Sequence, residues 1–221
     1  MVPWIHLDTA PLPGGGELRL LRRGEEFSIR VGTAELMNSR LHGSEEALAR
    51  LAAGRLGGRP APKVLVGGLG MGFTLRAALD AFGPDARITV VELVPAVIGW
   101  ANGPLRPVLG DTLADRRVSV VCQDVRDAMG ARGWDAILLD VDNGPEGMTV
   151  PSNDALYGAV GLGAARAGLR PGGVLAVWSA HPDPGFAARL RRVGFAAEEH
   201  RVRAGRGRGS RHTIWVARRG S

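Results

Sequence analysis

A run of glycines after an apolar segment is the first place where this sequence could do chemistry. The segment KVLVGG, residues 63–68, predicts a buried strand, and Gly68, Gly70 and Gly72 lie between it and an amphipathic helix. Glycines at such a junction permit a tight turn and let a ligand approach the backbone N–H groups at the helix start. The GxGxG spacing suits an adenosyl nucleoside better than the dinucleotide pattern GxGxxG. We therefore interpret the run as a nucleoside-binding turn, with a plain strand-to-helix connection as the alternative.

Acidic residues end the next two predicted strands. Glu92 ends the second strand, twenty residues after Gly72, where a carboxylate can accept hydrogen bonds from both ribose hydroxyls. Asp124 ends the third strand and can accept from the exocyclic amine of adenine, while Val125 offers its backbone N–H to the ring. Capping of the following helix is a second role for Asp124, and the two roles are compatible.

The fourth and fifth strands supply candidate residues for a second substrate. Asp140 ends the fourth strand and opens a loop that contains Asp142 and Asn143. A carboxylate at the C-terminal end of a parallel strand points into the crevice where α/β sheets bind ligands, and there it could hold an amine or remove its proton. A helix cap or loop pair is the alternative. Trp178, at the end of the fifth strand, is either a core residue or a stacking surface.

The elements that position these residues alternate between strand and helix. Helical patterns follow each strand, including a long one over residues 154–169 that ends before Pro171-Gly172-Gly173, and a fifth strand is predicted from Gly173. Continuous apolar strands separated by helices predict an α/β fold with a mostly parallel, doubly wound sheet covered on both faces. Two closing strands, FAAEEHRVR and RHTIWVARR, predict a terminal hairpin.

The N-terminal quarter has a different pattern. Residues 1–16 contain three prolines and three consecutive glycines, and are predicted to be an irregular lead-in. Short β-type runs then suggest a small hairpin or meander, and Ser44 is the predicted N-cap of a helix that stops at Gly57-Gly58. We divide the chain into an N-terminal region, residues 1–58, and a nucleoside-binding Rossmann-like domain, residues 59–221.

Composition narrows the functional class. The 221 residues carry a formal charge of +6, but the cations are nearly all arginines spread along the chain, which disfavours a nucleic-acid site. A denser Arg/Gly cluster between Arg201 and Arg211 is predicted to be a solvated loop. No metal-ligand spacing is found among the histidines, so no metal is expected, and Cys122 is predicted to lie buried in a strand.

Targeting signals are not recognised in the sequence. No apolar run reaches the roughly 20 residues that a membrane span needs, and the first residues lack the pattern of a signal peptide. A cytoplasmic protein without a membrane partner is therefore expected.

Several of these segments together resemble the spermidine synthase-like family, over about residues 17–216. The resembling pieces include AELMNSRLHGSEEALARLA, KVLVGGLGMGFTLRAAL, ITVVELVPAVI, CQDVRDAM and DAILLDVDNGPEG. The resemblance implies a seven-stranded methyltransferase-like Rossmann sheet with an N-terminal β-hairpin region. It also implies transfer of an aminopropyl group from decarboxylated S-adenosylmethionine to an amine, as in polyamine biosynthesis.

By this resemblance, Glu92 would bind the ribose, Asp124 would bind the adenine, and Asp140 would assist the attacking amine. The second aspartate of the DSSDP loop of aminopropyltransferases falls on Asn143, and Asp142 is shifted from it by one position. Met71 replaces the aspartate of their GGGDGG motif, which tilts the expectation toward methyl transfer from intact S-adenosylmethionine.

The sequence thus predicts a transferase that binds S-adenosylmethionine or its decarboxylated form and acts on a small amine. The sequence is compatible with a homodimer and does not determine the oligomeric state. The alternative is a non-catalytic nucleoside-binding or nucleic-acid-binding protein on the same fold, supported only by the Arg/Gly cluster. A dinucleotide-dependent oxidoreductase is disfavoured by the glycine spacing and by the closing hairpin.

Overall fold

The computed structural model describes residues 2–141, 144–145, 153–205 and 209–220, and within them two sheets are formed. The first is antiparallel and contains β1 (Ile5–Pro11), β2 (Glu17–Arg23), β3 (Glu26–Val31) and β4 (Ala34–Asn38). The second contains β5 (Lys63–Gly67), β6 (Arg87–Glu92), β7 (Val118–Cys122), β8 (Trp134–Leu139), β9 (Leu169–Ser179), β10 (Phe195–Arg203) and β11 (Arg211–Arg219).

Eight helices lie between and around these strands in the described residues. They are α1 (Gly43–Leu56), α2 (Phe73–Ala81), α3 (Pro95–Asn102), α4 (Arg106–Leu109), α5 (Val125–Met129), α6 (Asn153–Tyr157), α7 (Ala159–Gly168) and α8 (Phe186–Arg192), with a 3-10 turn at Thr112–Ala114. None of the helices in the described part of the chain is long and apolar enough to cross a membrane.

The strand order of the large sheet is β10-β11-β9-β8-β5-β6-β7. Strands β5 to β9 are parallel, and β11 joins β9 and β10 in antiparallel pairing, as the predicted terminal hairpin requires. From β5 the chain winds outward through β6 and β7, then returns to β8 on the other side of β5. The predicted α/β, doubly wound, seven-stranded fold with a small N-terminal β region is confirmed, and the reversal at β5 is the place where such sheets bind ligands.

Helices cover both faces of the large sheet, which explains the continuous apolar strands. In β5, Val64 and Val66 belong to the core under α1, α2 and α3, whereas Leu65 belongs to the core under α5, α7 and α8. Successive side chains of a strand point to opposite faces, so every position must be apolar when both faces are buried.

The irregular lead-in predicted for residues 1–16 is wrong. Its middle part forms β1, which pairs antiparallel with β2 and makes the N-terminal sheet four-stranded. The prolines suggested loop, but Pro11 ends the strand and the glycines at 14–16 form the turn to β2, all with positive φ. Pairing to a neighbouring strand therefore outweighs the local composition.

The continuous helix predicted over residues 154–169 is also wrong. It breaks at Gly158, whose backbone is extended, into α6 and α7. At Gly161 a Cβ atom would lie 2.1 Å from the carbonyl oxygen of Leu156, so the two helices approach too closely for a side chain. The following strand begins at Leu169 rather than Gly173, because Trp134 pairs with Leu169 before a register shift in the β8–β9 ladder.

Two smaller predictions also differ from the structure. Cys122 is exposed rather than buried, because β7 is an edge strand whose side chains are at most partly covered. Helix α1 begins at Gly43 with His42 as its N-cap, so Ser44 is not the cap but a buried residue of the first turn. Its end at Gly57, in the left-handed conformation, is as predicted.

Candidate active site

The carboxyl ends of the parallel strands open into one cavity, closed on its other side by the N-terminal sheet and the first turn of α1. It lies where the strand order reverses. Seven of the residues predicted from sequence line it, namely Gly68, Gly70, Glu92, Asp124, Val125, Asp140 and Trp178. Gly72 is not among the lining residues; it is the N-cap of α2 and faces the side chain of Leu109.

The glycine turn brings the backbones of β5 and β8 into close approach. Gly68 has φ +87°, and a Cβ built on it would lie 2.4 Å from the carbonyl oxygen of Asp140. A side chain at this position would therefore be strained and would collide with the backbone of the neighbouring strand end. Glycine at this position is therefore what allows the ends of β5 and β8 to approach so closely.

Glu92 holds the glycine turn against the end of β6. Its Oε2 accepts a hydrogen bond from the N–H of Leu69 at 2.9 Å, and its Oε1 accepts from the N–H of Val94 at 2.9 Å. Burial raises the pKa of this carboxyl, and the backbone N–H groups around it oppose that shift. The carboxylate is thus fixed in place at the cavity wall, with lone pairs left for a ligand.

Asp124 caps α5 and also lines the cavity. Its Oδ1 accepts from the backbone N–H of Arg126 at 2.8 Å, and its Oδ2 accepts from the Arg126 guanidinium at 2.7 Å. Hydrogen bonding by Arg126 lowers the pKa of Asp124, which keeps the carboxylate charged. Val125, the first residue of α5, is buried beside it. The capping role is present, and it leaves the predicted adenine role open.

Asp140 follows β8 and lines the same cavity. Its Oδ2 accepts a hydrogen bond from the hydroxyl of Thr74 at 2.5 Å, and its side chain keeps partial access to the cavity. Burial raises the pKa of Asp140 to about 6, against the opposing effect of the Thr74 hydrogen bond. Sequence reasoning missed Thr74, because a threonine inside a helix pattern carries no signal of a partner on another strand.

A second acid, Glu45, lies in the same cavity and was not predicted. It lies in the first turn of α1, where an acid favours the helix dipole, so its position in the sequence implies no role in a cavity. Its side chain is buried, with the residue only 7% exposed, and its Oε2 accepts from the hydroxyl of Ser44 at 2.5 Å. Burial, followed by the charge of Asp140, raises the pKa of Glu45 to about 7. The cavity therefore contains two carboxyls that cannot easily both be charged.

Trp178 forms part of the cavity wall at the end of β9. It is buried, and its ring meets His212 edge to face at a centroid distance of 4.8 Å. The Nδ1 of His212 is 2.8 Å from the Ser44 hydroxyl. Within the described residues the indole Nε1 of Trp178 has no hydrogen-bond partner. A buried N–H donor of this kind is normally paired.

Apolar residues of the N-terminal sheet and of its β1–β2 connection complete the cavity, and sequence reasoning missed all of them. They are Leu12, Leu18, Ile29, Leu36 and Met37. The Met37 thioether packs over the glycine turn, since a Cβ at Gly70 would lie 2.8 Å from its sulfur. Met71, by contrast, is buried in the core and does not line the cavity. An apolar wall opposite a glycine turn is suited to a flat, weakly polar ring.

Three predicted features lie wholly or partly outside the described residues. Asp142 and Asn143 are outside them, as is the middle of the Arg/Gly cluster, residues 206–208. Among the residues that are described, no group of three or more His, Cys, Asp or Glu side chains is placed to hold a metal ion.

The architecture places the chain in a class of solved structures. Over 97% of its length it superimposes on a spermidine synthase in complex with the transition-state analogue AdoDATO, with a TM-score of 0.76 and 17% identity, and covers 72% of that chain. The spermidine synthase of Thermotoga maritima gives a TM-score of 0.75 at 17% identity, covering 97% of this chain and 73% of that one. The fold is therefore that of the spermidine synthases.

Curated proteins that are similar in sequence are polyamine aminopropyltransferases. The chain is 36% identical over 124 residues to a polyamine aminopropyltransferase of Corynebacterium efficiens, and 35% identical over 127 residues to one of Mycobacterium tuberculosis. The matches cover 52% and 55% of this chain but only 22% and 23% of those longer proteins. No protein-family model matches. The resemblance to the spermidine synthase-like family is confirmed.

Proposed function

We propose that the protein is a transferase that binds an S-adenosyl sulfonium compound and transfers an alkyl group from it to a small amine. The observation that carries this proposal is a cavity in which a glycine turn, the fixed carboxylate of Glu92 and the partly buried carboxyl of Asp140 meet at the carboxyl ends of the strands. The names of the relatives, polyamine aminopropyltransferase and spermidine synthase, support the same reaction class.

The residues present fit an adenosyl nucleoside. Gly68 and Gly70 expose the backbone of the turn to the cavity, and Glu92 presents ordered carboxylate oxygens for the ribose. Asp124 and Val125 border the region assigned to adenine. The apolar residues of the N-terminal sheet would cover the base. Bound S-adenosylmethionine, or its decarboxylated form, would supply an electrophilic carbon next to a positively charged sulfur.

Asp140 is the residue we assign to the acceptor. In the proposed reaction the amine nitrogen forms a bond to the carbon beside the sulfonium, the carbon–sulfur bond breaks, and the amine loses a proton. Such a displacement depends mainly on positioning and on a deprotonated nucleophile. A carboxyl whose pKa is raised toward neutrality is suited to accept that proton. Trp178 and, from the loop that follows Asp140, Asp142 and Asn143 are proposed to contact the acceptor.

Aminopropyl transfer from decarboxylated S-adenosylmethionine is the version of the reaction that the relatives favour. Methyl transfer from intact S-adenosylmethionine is the second candidate, favoured by Met71, which replaces an aspartate of the aminopropyltransferase motif and lies buried in the core.

Product analysis separates the two. The protein is incubated with each nucleoside and a panel of polyamines and other small amines. Release of methylthioadenosine indicates aminopropyl transfer, and release of S-adenosylhomocysteine indicates methyl transfer. If the protein binds S-adenosylmethionine and its decarboxylated form but releases neither product with any amine, the proposal of a transferase is contradicted.

A further inference from the structure

The two carboxyls that face the acceptor end of the cavity have an unusual environment. Glu45 and Asp140 lie on different elements, α1 and the end of β8, and Thr74 of α2 connects them: its hydroxyl is 2.5 Å from Asp140 Oδ2 and 3.3 Å from the backbone oxygen of Glu45. In the described part of the chain, no arginine, lysine or histidine forms an ion pair with either carboxyl. A buried acid and a partly buried acid without a cation between them are costly when both are ionised.

The surroundings of the pair provide hydrogen bonds but no neutralising charge. Around Glu45 and Asp140 the described titratable groups are Glu46 from α1, His212 from β11 with His181 beside it, and Glu92 and Asp124 across the cavity. Glu46 is itself paired with His42 and Arg50 outside the cavity. Burial and His181 lower the pKa of His212, which favours the neutral ring that contacts Ser44. Among the described residues, the negative charge of the pair is therefore not neutralised by a cation, and both carboxyls line the cavity.

We infer that Glu45 is a second acceptor-binding residue, which shares one proton with Asp140 in the free protein, and that a cationic amine binds by displacing this proton. This inference rests on the proposed function, because the amine is the acceptor of that reaction. An ammonium group supplies the positive charge that the pair lacks, and the proton passes to solvent. The carboxylate of Glu45 then holds the ammonium group, while the carboxylate of Asp140 remains free to accept a proton from that group.

Glu45 belongs to the segment Ser44-Glu45-Glu46, which by the resemblance corresponds to a YHE motif of aminopropyltransferases. An acid at this position doubles the negative charge of the acceptor end. It therefore favours a cationic amine over a neutral acceptor such as an alcohol.

Proton-coupled binding provides the first test. The probe is 1,4-diaminobutane, titrated calorimetrically into the full chain with saturating methylthioadenosine at pH 6.5, in phosphate and in bis-Tris, whose ionisation enthalpies differ. At this pH, midway between the pKa values of about 6 and about 7, the pair holds about one proton. We expect release of about one proton per diamine bound. In Glu45→Gln the release should fall below half a proton, and affinity should weaken about tenfold or more.

Glu46→Gln is the matched control, because it makes the same chemical change one residue along α1, outside the cavity. It should keep both the affinity and the proton release. Equal proton release in the native chain and Glu45→Gln, or no diamine binding when methylthioadenosine is bound, would overturn the inference. Tight binding of 1,4-butanediol in place of the diamine would do the same.

A second measurement does not depend on any ligand. Carboxyl carbon NMR of the free protein should show Glu45 titrating near neutral pH, and its midpoint should fall in Asp140→Asn, where one charge is removed. Titration of Glu45 at an ordinary glutamate pKa would overturn the shared proton. The proposed function and the shared proton can be tested separately. A chain that releases a proton on binding the diamine but does not bind nucleosides would contradict the proposed function and leave the shared proton supported.

Discussion

Replacement of Gly68 by alanine tests the geometry on which the nucleoside site depends. The residue has φ +87°, and its new Cβ would lie 2.4 Å from the carbonyl oxygen of Asp140, a backbone atom that cannot turn away. The left-handed conformation costs an alanine about 1–2 kcal/mol, and relieving a steric overlap in a packed region costs about 1–3 kcal/mol. We expect Gly68→Ala to lower the free energy of unfolding by about 2–5 kcal/mol.

The assay is urea unfolding, followed by tryptophan fluorescence and circular dichroism. Gly54→Ala is the matched control: Gly54 lies in helix α1 and has nothing within 4 Å of a built Cβ, so alanine should raise stability by about 0.5–1 kcal/mol. The two variants make the same chemical change with opposite expected signs. Neutral surface changes alter the free energy of unfolding by at most about 0.5 kcal/mol. If the free energy of unfolding of Gly68→Ala differs from that of the native chain by no more than this, the close approach of β5 and β8 is wrong.

Three further predictions concern the acids of the cavity. Glu92→Ala should weaken binding of methylthioadenosine by about 1.5–3 kcal/mol in calorimetry, because hydrogen bonds to a charged group are lost, and unchanged affinity in a folded variant would remove the ribose assignment. Asp140→Asn should lower turnover roughly 10²–10⁴-fold with little change in nucleoside affinity, whereas near-normal turnover would leave Asp140 a structural residue. The pKa of Glu45 is raised from 4.5 to about 7 in the folded chain, so the folded state binds more protons than the unfolded state between these values. The free energy of unfolding should therefore fall as the pH rises from 4.5 to about 7, and urea unfolding of Glu45→Gln should show a smaller fall. An identical pH profile for the two proteins would contradict the raised pKa.

Much of the large sheet could be predicted because its signals are local. The apolar strands, the glycine turn and the acids Glu92, Asp124 and Asp140 follow one another with the spacing of an α/β fold. Strand ends of a parallel sheet meet at one edge, so their grouping in one cavity follows from topology. Whether these residues hold the assigned parts of a nucleoside stays a prediction.

The rest of the site depends on contacts distant in sequence. Glu45 looked like an ordinary acid of a first helical turn, and only the packing of α1 beside the end of β8 places it near Asp140. Met37 and the other apolar residues of the N-terminal sheet gave a strand pattern without showing which face would cover the cavity. Strand β1 was missed because its prolines and glycines outweighed a pairing partner that composition cannot reveal.

Parallel calorimetric titration with S-adenosylmethionine, decarboxylated S-adenosylmethionine, methylthioadenosine and NAD tests the central claim most directly. The account predicts saturable 1:1 binding of at least one S-adenosyl sulfonium compound and of methylthioadenosine, lost or strongly weakened in Glu92→Ala, with no comparable binding of NAD. Binding of NAD in preference to all three sulfur nucleosides, or binding of none of the four by the folded chain, would contradict it.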